Sequence, residues 1–266
     1  MLLSIYKRTI NNLAMKLTYN NVTIDFFEEN IDKPILLSLS GGLDSASLMY
    51  LICKHFPEMT IIPFTGRDLN APFDAISAED ITQWMRDRFP KNKILDREEF
   101  SFDHNDPYWY QLAIDRWEDE HVLVNGERVP RCNRITGLSK MLIIRHETEK
   151  LRDKYPGSLL VSGMTSNPPV EEQKKHGFYD LAERRRDGPN KDIDQMNTTG
   201  THYQPFIHVD KKFVADIYKK NNLMEDLYVL TGSCIGSKKQ TDYFTKECRQ
   251  CFWCYEKEWA FRGLQT

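Results

Sequence analysis

The sequence predicts an α/β fold in which a parallel β-sheet is covered by helices on both faces. Short apolar runs such as KPILLSLS at 33–40 alternate along the chain with longer segments that carry apolar residues at helical spacing. The runs are apolar at consecutive positions, which is typical of strands that are buried on both faces. Strands that alternate with helices in this order form a parallel, doubly wound sheet.

Each element is predicted from its own residues. The expected strands are apolar runs that end at turn residues such as Gly66, and they lie at 33–40, 59–65, 92–96 and 158–164. The expected helices lie at 45–56, 78–89, 107–122, 134–155 and 210–222. We expect an N-terminal extension over 1–30, an α/β domain over 31–230 with insertions around 103–157 and 168–200, and a cysteine-bearing segment over 231–266.

Composition limits the class of protein. The 266 residues are 40% hydrophobic and carry a net charge of -3, as expected of a globular protein without a global basic field. This charge argues against a protein that coats nucleic acid, although a small anion held locally is compatible with it. The N-terminal residues lack a signal-peptide core and no stretch reaches the ~20 apolar residues of a membrane span, so we expect a cytoplasmic protein without a membrane partner.

The stretch SLSGGLDS at 38–45 joins the first strand to its helix and carries the strongest functional motif. Gly41 and Gly42 lack side chains, so the oxygens of an anion can approach the backbone amides, and the helix N-terminus adds about half a positive charge. Ser40 and Ser45 add hydroxyl donors. Asp44 is unexpected in an anion site unless Mg²⁺ lies between its carboxylate and phosphates. The spacing matches neither a Walker A loop nor G-x-G-x-x-G.

This motif resembles the SGGxDS loop of the ATP pyrophosphatase superfamily and matches all of its fixed positions. In that superfamily the loop binds the β- and γ-phosphates of ATP while the α-phosphate is attacked, so that AMP and pyrophosphate leave. The resemblance implies a Rossmann-like fold of the adenine nucleotide alpha hydrolase type, ATP and Mg²⁺ as ligands, and Asp44 and Ser45 as catalytic residues. The loop residues assigned to the nucleotide are Ser38, Ser40, Gly41, Gly42, Leu43, Asp44 and Ser45.

Further candidates are assigned from their positions after later strands. The superfamily often contacts adenine or ribose after the second strand, and the residues there are Phe64, Thr65 and Arg67. Ser162 and Gly163 end a later strand and face the same crevice, because ligands bind at the carboxyl ends of strands in open sheets. Lys238 is a catalytic candidate that would neutralise pyrophosphate. Ordinary strand ends, and a solvated loop lysine, are the alternative interpretations.

Four of the six cysteines lie near the C-terminus, at Cys234, Cys248, Cys251 and Cys254. Three thiolates in C-x-x-C-x-x-C reach one tetrahedral ion, and Cys234 is the natural fourth ligand. Zn²⁺ prefers sulfur, and a four-cysteine site has no open position for water, so we expect a structural zinc that anchors a helix at 256–263. A four-cysteine iron–sulfur cluster and unligated thiols are the alternatives.

The order of features narrows the resemblance. The stretch at 203–234 and the CRQCFWCYEKEWAF tail are similar to 7-cyano-7-deazaguanine synthases, and the resemblance covers 34–89, 158–167 and 203–262. It implies a ligase that adenylates 7-carboxy-7-deazaguanine or a related acid at the expense of ATP. Ammonia then displaces AMP, and in the synthases a second activation dehydrates the amide to a nitrile. Dimers are frequent in that family, so the resemblance also implies a homodimer.

The resemblance is incomplete in the substrate segment. The family's Ser-Gly-Tyr-Pro-Asp-Cys-Arg element is absent from VSGMTSNPPVEEQKKHGFYD at 161–180, and the loop between Cys234 and Cys248 is longer than in the family. The resemblance therefore supports the nucleotide chemistry and the zinc site of the family better than it supports the identity of the acceptor acid. The alternatives are another enzyme of the superfamily, such as a tRNA sulfurtransferase or an adenylyl-sulfate reductase, and a non-catalytic zinc-stabilised nucleic-acid-binding module. A sulfurtransferase would require an additional catalytic cysteine beside the nucleotide, and Cys132 is the candidate for it.

Overall fold

A computed structural model describes most of the chain, and the described residues are 14–28, 33–70, 72–103, 106–109, 111, 121–124, 127–130, 135–175 and 194–262. Most of the helix predicted at 107–122, the basic run at 184–186, Cys132 and parts of both predicted insertions lie outside them. Within the described residues, we find no helix that combines the length and the apolar character needed to cross a membrane.

The four predicted strands are present, and the structure adds strands that were not predicted, among them those at 14–28, 98–102, 121–124 and 127–130. The strands are β1 (Ala14–Tyr19), β2 (Val22–Glu28), β3 (Ile35–Ser38), β4 (Thr60–Asp68), β5 (Lys93–Ile94), β6 (Glu98–Phe102), β7 (His121–Val124), β8 (Glu127–Pro130), β9 (Leu159–Ser162) and β10 (His202–Tyr203). The helices are α1 (Leu43–His55), α2 (Phe73–Arg88), α3 (Ile135–Lys154), α4 (Val170–Lys175), α5 (Lys211–Lys220), α6 (Leu227–Leu230) and α7 (Phe252–Phe261).

The central sheet is parallel throughout, which confirms the predicted fold class. Its order is β10-β9-β3-β4-β5, and β6 continues the pairing with β4 beyond β5. The chain leaves β3 toward β4, whereas β9 and β10 lie on the other side of β3. The strand order therefore reverses between β3 and β9, and open α/β sheets bind ligands at such a switch point, outside the carboxyl ends of the strands.

Both faces of the sheet are covered, as the continuous apolar run at 35–39 predicts. Ile35, Leu37 and Leu39 belong to the core that contains α1 and α5. Leu36 belongs to a second cluster, which includes residues of β4 and of α3. Because successive residues of a strand point to opposite faces, the three buried residues of β3 before Ser38 are all apolar.

The N-terminal hairpin of β1 and β2 packs onto the same core. The rings of Tyr19 and Phe213 meet edge to face with centroids 5.4 Å apart, and Phe26 is fully buried. The backbone N–H of Asn20 donates to the Asp216 carboxylate on α5 at 2.6 Å. The described part of the predicted extension is thus attached to α5.

The end of β4 and the C-terminal segment differ from the predictions. β4 continues through Gly66 to Asp68, because Phe100 and Phe102 of the unforeseen strand β6 lie over Gly66, where a Cβ would be 2.8 Å from the Phe100 ring. The C-terminal segment is more than the predicted appendage, since Trp259 of α7 packs with Ala215 of α5 in a buried cluster.

Candidate functional site

The loop between β3 and α1 has the conformation that its small residues predict. Gly41 has a φ of +76°, which L-residues with side chains rarely adopt, and Gly42 caps α1 with extended backbone. The Ser45 hydroxyl accepts the Ser40 N–H at 3.2 Å and donates to the Gly42 carbonyl at 3.2 Å. Ser45 therefore fixes the turn, and the first amides of α1 have no acceptor within the helix itself.

Residues outside the loop hold it from two sides. The Thr65 hydroxyl, in the second half of β4, donates to the Leu39 carbonyl at 2.6 Å. The backbone N–H of Gly232 donates to the Gly41 carbonyl at 3.0 Å. A Cβ on Gly42 would lie 2.9 Å from the Ser233 hydroxyl. The loop thus lies between the end of β4 and the segment that leads to Cys234.

Asp44 belongs to a buried chain of charges that the sequence analysis did not find. Its Oδ2 lies 3.2 Å from the Lys211 Nζ, and the Thr165 hydroxyl donates to the same oxygen at 3.3 Å. Lys211 Nζ also lies 2.9 Å from an oxygen of Glu256, whose side chain is fully buried. One ammonium group therefore joins the loop between β3 and α1 to α5 and α7.

A signal for this pair was present in the sequence. Lys211 lies on the buried face of α5, three, four and seven residues before Val214, Ala215 and Tyr218, each of which is fully buried. Glu256 occupies the equivalent position on α7, four residues before the buried Ala260. A lysine on one apolar helix face and a glutamate on another are typical of a buried ion pair, since unpaired charges are rarely buried.

The carboxyl end of β9 lies directly beside the loop. Ser162 pairs with Ser38 in the strand register, and a Cβ on Gly163 would be 2.8 Å from the backbone carbonyl of Asp44. Gly163 is therefore required for close approach of β9 to α1. The Ser162 hydroxyl lies 2.9 Å from the His202 Nε2, and burial, with a smaller contribution from Arg152, lowers the pKa of His202 to about 4. A neutral imidazole thus faces Ser162 near pH 7.

The predicted adenine-contacting residues are engaged with the protein itself. Phe64 is buried in the cluster that contains Leu36, and Thr65 bonds the loop as described above. Arg67 forms a two-point ion pair with Glu99, with Nη2 and Oε2 3.1 Å apart. The hydrogen bond to Glu99 raises the pKa of Arg67. Their contact with a nucleotide stays a prediction.

Lys238, the predicted catalytic lysine, lies in the exposed loop between Cys234 and Cys248. Its Nζ lies 4.9 Å above the centroid of the Tyr243 ring. The catalytic role of Lys238 stays a prediction, whereas the lysine that contacts Asp44 is Lys211.

The four C-terminal cysteines form one cluster, as their spacing predicts. The ligand atoms of Cys234, Cys248, Cys251 and Cys254 all lie within 4.8 Å of one another. The sulfurs of Cys248 and Cys254 are 3.9 Å apart, and those of Cys251 and Cys254 are 3.5 Å apart. Four sulfurs bound to a single tetrahedral ion at about 2.3 Å would be about 3.8 Å apart. The cluster therefore has the dimensions that one such ion requires.

Backbone amides point at these sulfurs and favour thiolates. The N–H groups of Gly236 and Cys248 donate to the Cys234 sulfur at 3.2 and 3.1 Å. Burial raises the pKa of Cys234 to about 11, whereas the hydrogen bond between Cys251 and Cys254 lowers the pKa of Cys251 to about 5 and raises the pKa of Cys254. Closely packed thiols deprotonate together only when a cation shares their charge, so this cluster is suited to a metal ion.

The segment that carries the four cysteines is connected to the loop between β3 and α1 through two further charged residues. Lys257 Nζ donates to the Thr231 carbonyl at 2.9 Å and to a Glu247 oxygen at 3.1 Å. The same Glu247 oxygen accepts the Ser233 N–H at 3.2 Å. These bonds fix the segment at 231–233, which in turn contacts Gly41 and Gly42.

Comparison with known proteins gives no family assignment. No family model matches the chain, and no curated protein matches it. Among solved structures, the chain is similar to an NH3-dependent NAD synthetase from Campylobacter jejuni in complex with the nitrate ion, at 14% identity and a TM-score of 0.40, over 75% of this chain and 69% of that chain. It is similar to NMN synthetase from Francisella tularensis at 12% identity and a TM-score of 0.43, over 88% and 89% of the two chains.

A third similar structure is the phosphoadenylyl-sulfate reductase from Candida auris in its phosphate complex, at 11% identity and a TM-score of 0.37, over 76% of this chain and 80% of that chain. Because identity and TM-score are low in all three cases, we base the function on the residues of this chain alone.

Proposed function

We propose that this protein is an ATP-dependent ligase that transfers AMP to a carboxylate, releases pyrophosphate, and passes the activated acyl group to ammonia. The observation that carries the proposal is the position of the SGGxDS loop, which lies at the carboxyl end of β3 where the strand order reverses. An anion-binding turn at this point of the sheet is suited to the phosphates of a nucleotide.

Different groups of the loop would bind the phosphates of ATP and the Mg²⁺ ion. The amides at 41–44 and the hydroxyls of Ser40 and Ser45 would bind the β- and γ-phosphates, where negative charge accumulates as pyrophosphate leaves. The Asp44 carboxylate is the hard oxygen ligand suited to Mg²⁺ at this place, and Mg²⁺ when bound would neutralise phosphate charge. Lys211 and Thr165 hold that carboxylate beside the loop, so they act as positioning residues.

The acceptor acid would lie in the adjacent crevice, next to the end of β9. Ser162, His202 and Gln204 form a connected polar group there, with Gln204 Nε2 donating to the Ser162 hydroxyl at 3.3 Å. Neutral hydrogen-bonding groups of this kind can orient a polar heterocycle without a counter-ion. We propose 7-carboxy-7-deazaguanine or a related acid as the substrate, on the strength of the sequence resemblance of the stretch at 203–234.

We also propose that the cysteine cluster holds zinc with a structural role. Sulfur separations of 3.5 and 3.9 Å fit a single tetrahedral ion. In a [4Fe–4S] cluster the four cysteine ligands bind separate iron atoms, which holds their sulfurs farther apart than a single ion does. When bound, zinc would neutralise the thiolates and fix the start of α7.

A product assay tests the proposal. Purified protein is incubated with ATP, Mg²⁺, ammonium and 7-carboxy-7-deazaguanine, and AMP, pyrophosphate and the deazapurine products are quantified by mass spectrometry. We expect AMP whose formation depends on the acid, and a decrease of about 10²–10³-fold in Asp44→Asn. Asp80→Asn, an exposed aspartate on α2, is the matched control and should keep full activity.

The outcomes separate the parts of the proposal. AMP without dependence on this acid would refute the substrate but keep the adenylating activity. Absence of AMP formation with a panel of carboxylic acids, from protein that binds ATP, would refute the ligase. Incorporation of sulfur into RNA would instead identify the sulfurtransferase, and binding of ATP without turnover would favour the non-catalytic alternative.

A further inference from the structure

A second polar cavity lies at the end of the sheet where the strands begin, opposite the end that carries the nucleotide loop. It has a volume of about 210 Å³ and is lined by residues that precede or begin three neighbouring strands, with Lys33 before β3, Ser158 before β9 and Thr201 before β10. Arg152, in the last turn of α3, completes its polar wall. A strand rises about 3.3 Å per residue, so the four residues of β9 separate the amino end of the strand, at the cavity, from its carboxyl end by about 13 Å.

Among the described residues, the positive charge of this cavity has no counter-ion. Arg152 is half-buried, and its Nη2 donates to the neutral Thr201 carbonyl at 2.9 Å. Within the part of the chain that the structure describes, neither Arg152 nor Lys33 forms an ion pair. The nearby Glu98 carboxylate is bonded to the Tyr155 hydroxyl and lies 2.7 Å from Lys154, which balances its charge. The cavity therefore keeps an excess of positive charge.

Two polar atoms beside this charge also lack partners. The Arg152 Nε and the Ser158 hydroxyl oxygen are buried, and neither forms a hydrogen bond with the described residues. Buried donors are nearly always satisfied in native proteins, by protein, water or a ligand. A half-buried guanidinium is a group well suited to phosphate-like oxyanions, which it binds through planar, paired N–H donors. Gly157 and Gly200, with φ values of +78° and +63°, form the turns at the mouth of the cavity.

From this combination we propose that the cavity bounded by Lys33, Arg152, Ser158 and Thr201 binds a small inorganic oxyanion of the phosphate class. The side chain of Arg152 reorients slightly on binding, so that its free N–H groups reach the anion, and Ser158 supplies a hydroxyl donor. Pockets for drug-sized ligands usually exceed about 300 Å³, so this cavity suits a free oxyanion and not a nucleotide. The site is separate from the nucleotide-phosphate loop, since it lies at the amino ends of the strands.

Amide chemical shifts can separate the two sites in one experiment. The full chain, labelled with ¹⁵N, is titrated with inorganic phosphate at constant ionic strength. Gly157 and Gly200 report on the new site, and Gly41 and Gly42 report on the nucleotide loop. We expect saturable shifts at Gly157 and Gly200.

Charge variants test which side chains carry the binding. Arg152→Gln should weaken phosphate binding at Gly157 and Gly200 by about tenfold or more, because a charge-assisted hydrogen bond is lost. Lys33 is exposed, so Lys33→Gln remains folded and should weaken binding several-fold. Lys150→Gln removes the same charge from an exposed position of α3, where Lys150 is paired with Glu147, and should bind phosphate like the unmodified protein.

The proposal is overturned by either of two results. One is a titration in which only Gly41 and Gly42 shift, or in which the shifts at Gly157 and Gly200 do not saturate. The other is unchanged affinity at Gly157 in both Lys33→Gln and a folded Arg152→Gln. Neither result depends on ligase activity, so this proposal can fail while the proposed function holds.

Discussion

Replacement of Lys211 by methionine is expected to be among the most destabilising single changes at the site. Methionine keeps most of the length of the lysine stem, so little packing is lost. The ammonium group, however, lies between Asp44 and Glu256. Its removal takes the ammonium group away from the buried Glu256 carboxylate.

The magnitude follows from the burial of the partners. The Lys211 and Glu256 side chains are 5% and 0% exposed, so the surviving glutamate is shielded from solvent. Removal of one partner of a buried pair costs about 3–5 kcal/mol. Asp44 is 17% exposed and is partly solvated, so it adds less. The expected loss is therefore a large part of a total stability of about 5–15 kcal/mol.

Urea unfolding followed by circular dichroism measures this loss. The double variant Lys211→Met/Glu256→Gln should recover about half of the loss or more, because the uncompensated charge is then absent. The loss in the single variant should be smaller at pH 5 than at pH 8, since a proton can neutralise the glutamate. Lys212→Met is the matched control, because Lys212 is half-exposed on the same helix turn, and it should cost less than about 1 kcal/mol.

Two results would refute this reasoning. A loss below about 1 kcal/mol in Lys211→Met would mean that the buried ion pair does not form in solution. A double variant that is no more stable than the single variant would mean that the loss arises from packing and not from the isolated Glu256 carboxylate.

Three further predictions concern the glycines, the histidine and the cysteines. Gly163→Ala should lower the free energy of unfolding by about 1–3 kcal/mol, because its Cβ meets the Asp44 backbone at 2.8 Å. In Gly42→Ala the Cβ meets a serine hydroxyl, so the free energy of unfolding should change little, whereas ATP binding should weaken. The folded-state pKa of His202 is about 4, so stability should decrease by about 1–3 kcal/mol as the pH falls from 6.5 to 4, and urea titrations of His202→Gln should show a smaller decrease. Removal of the metal by a chelator, or Cys251→Ser, should weaken ATP binding measured by calorimetry, and unchanged ATP affinity in metal-free protein would contradict the coupling of the two sites.

The parts of the structure that were predicted correctly depend on residues near one another in the chain. The turn from β3 into α1 is local, because its glycines, serines and helix start fall within eight residues at 38–45. The cysteine cluster was predicted for the same reason, since Cys248, Cys251 and Cys254 follow a regular spacing and Cys234 is close by. The parallel sheet followed from the alternation of apolar runs and helices.

The parts that were missed depend on pairing between distant residues. EEFSF at 98–102 carries charges that suggest a loop, and it forms β6 because it pairs with the half of β4 that extends beyond β5. Lys211 and Glu256 are 45 residues apart in sequence and join only when α5 packs on α7. The lysines at 238 and 239 were more conspicuous because they follow the cysteine and lie in a polar loop.

The contacts of the loop at 39–45 connect the proposed nucleotide site with the cysteine cluster. The loop at 39–45 is held by Gly232 and by Lys211, and Lys211 in turn is held by Glu256. Gly232 precedes the first cysteine of the cluster by two residues, and Glu256 follows the last by two. A metal ion that fixes the four sulfurs therefore also fixes both contacts with the loop. If the loop binds phosphate as proposed, the cysteine cluster would act on that binding through the position of these contacts, without contact with the nucleotide.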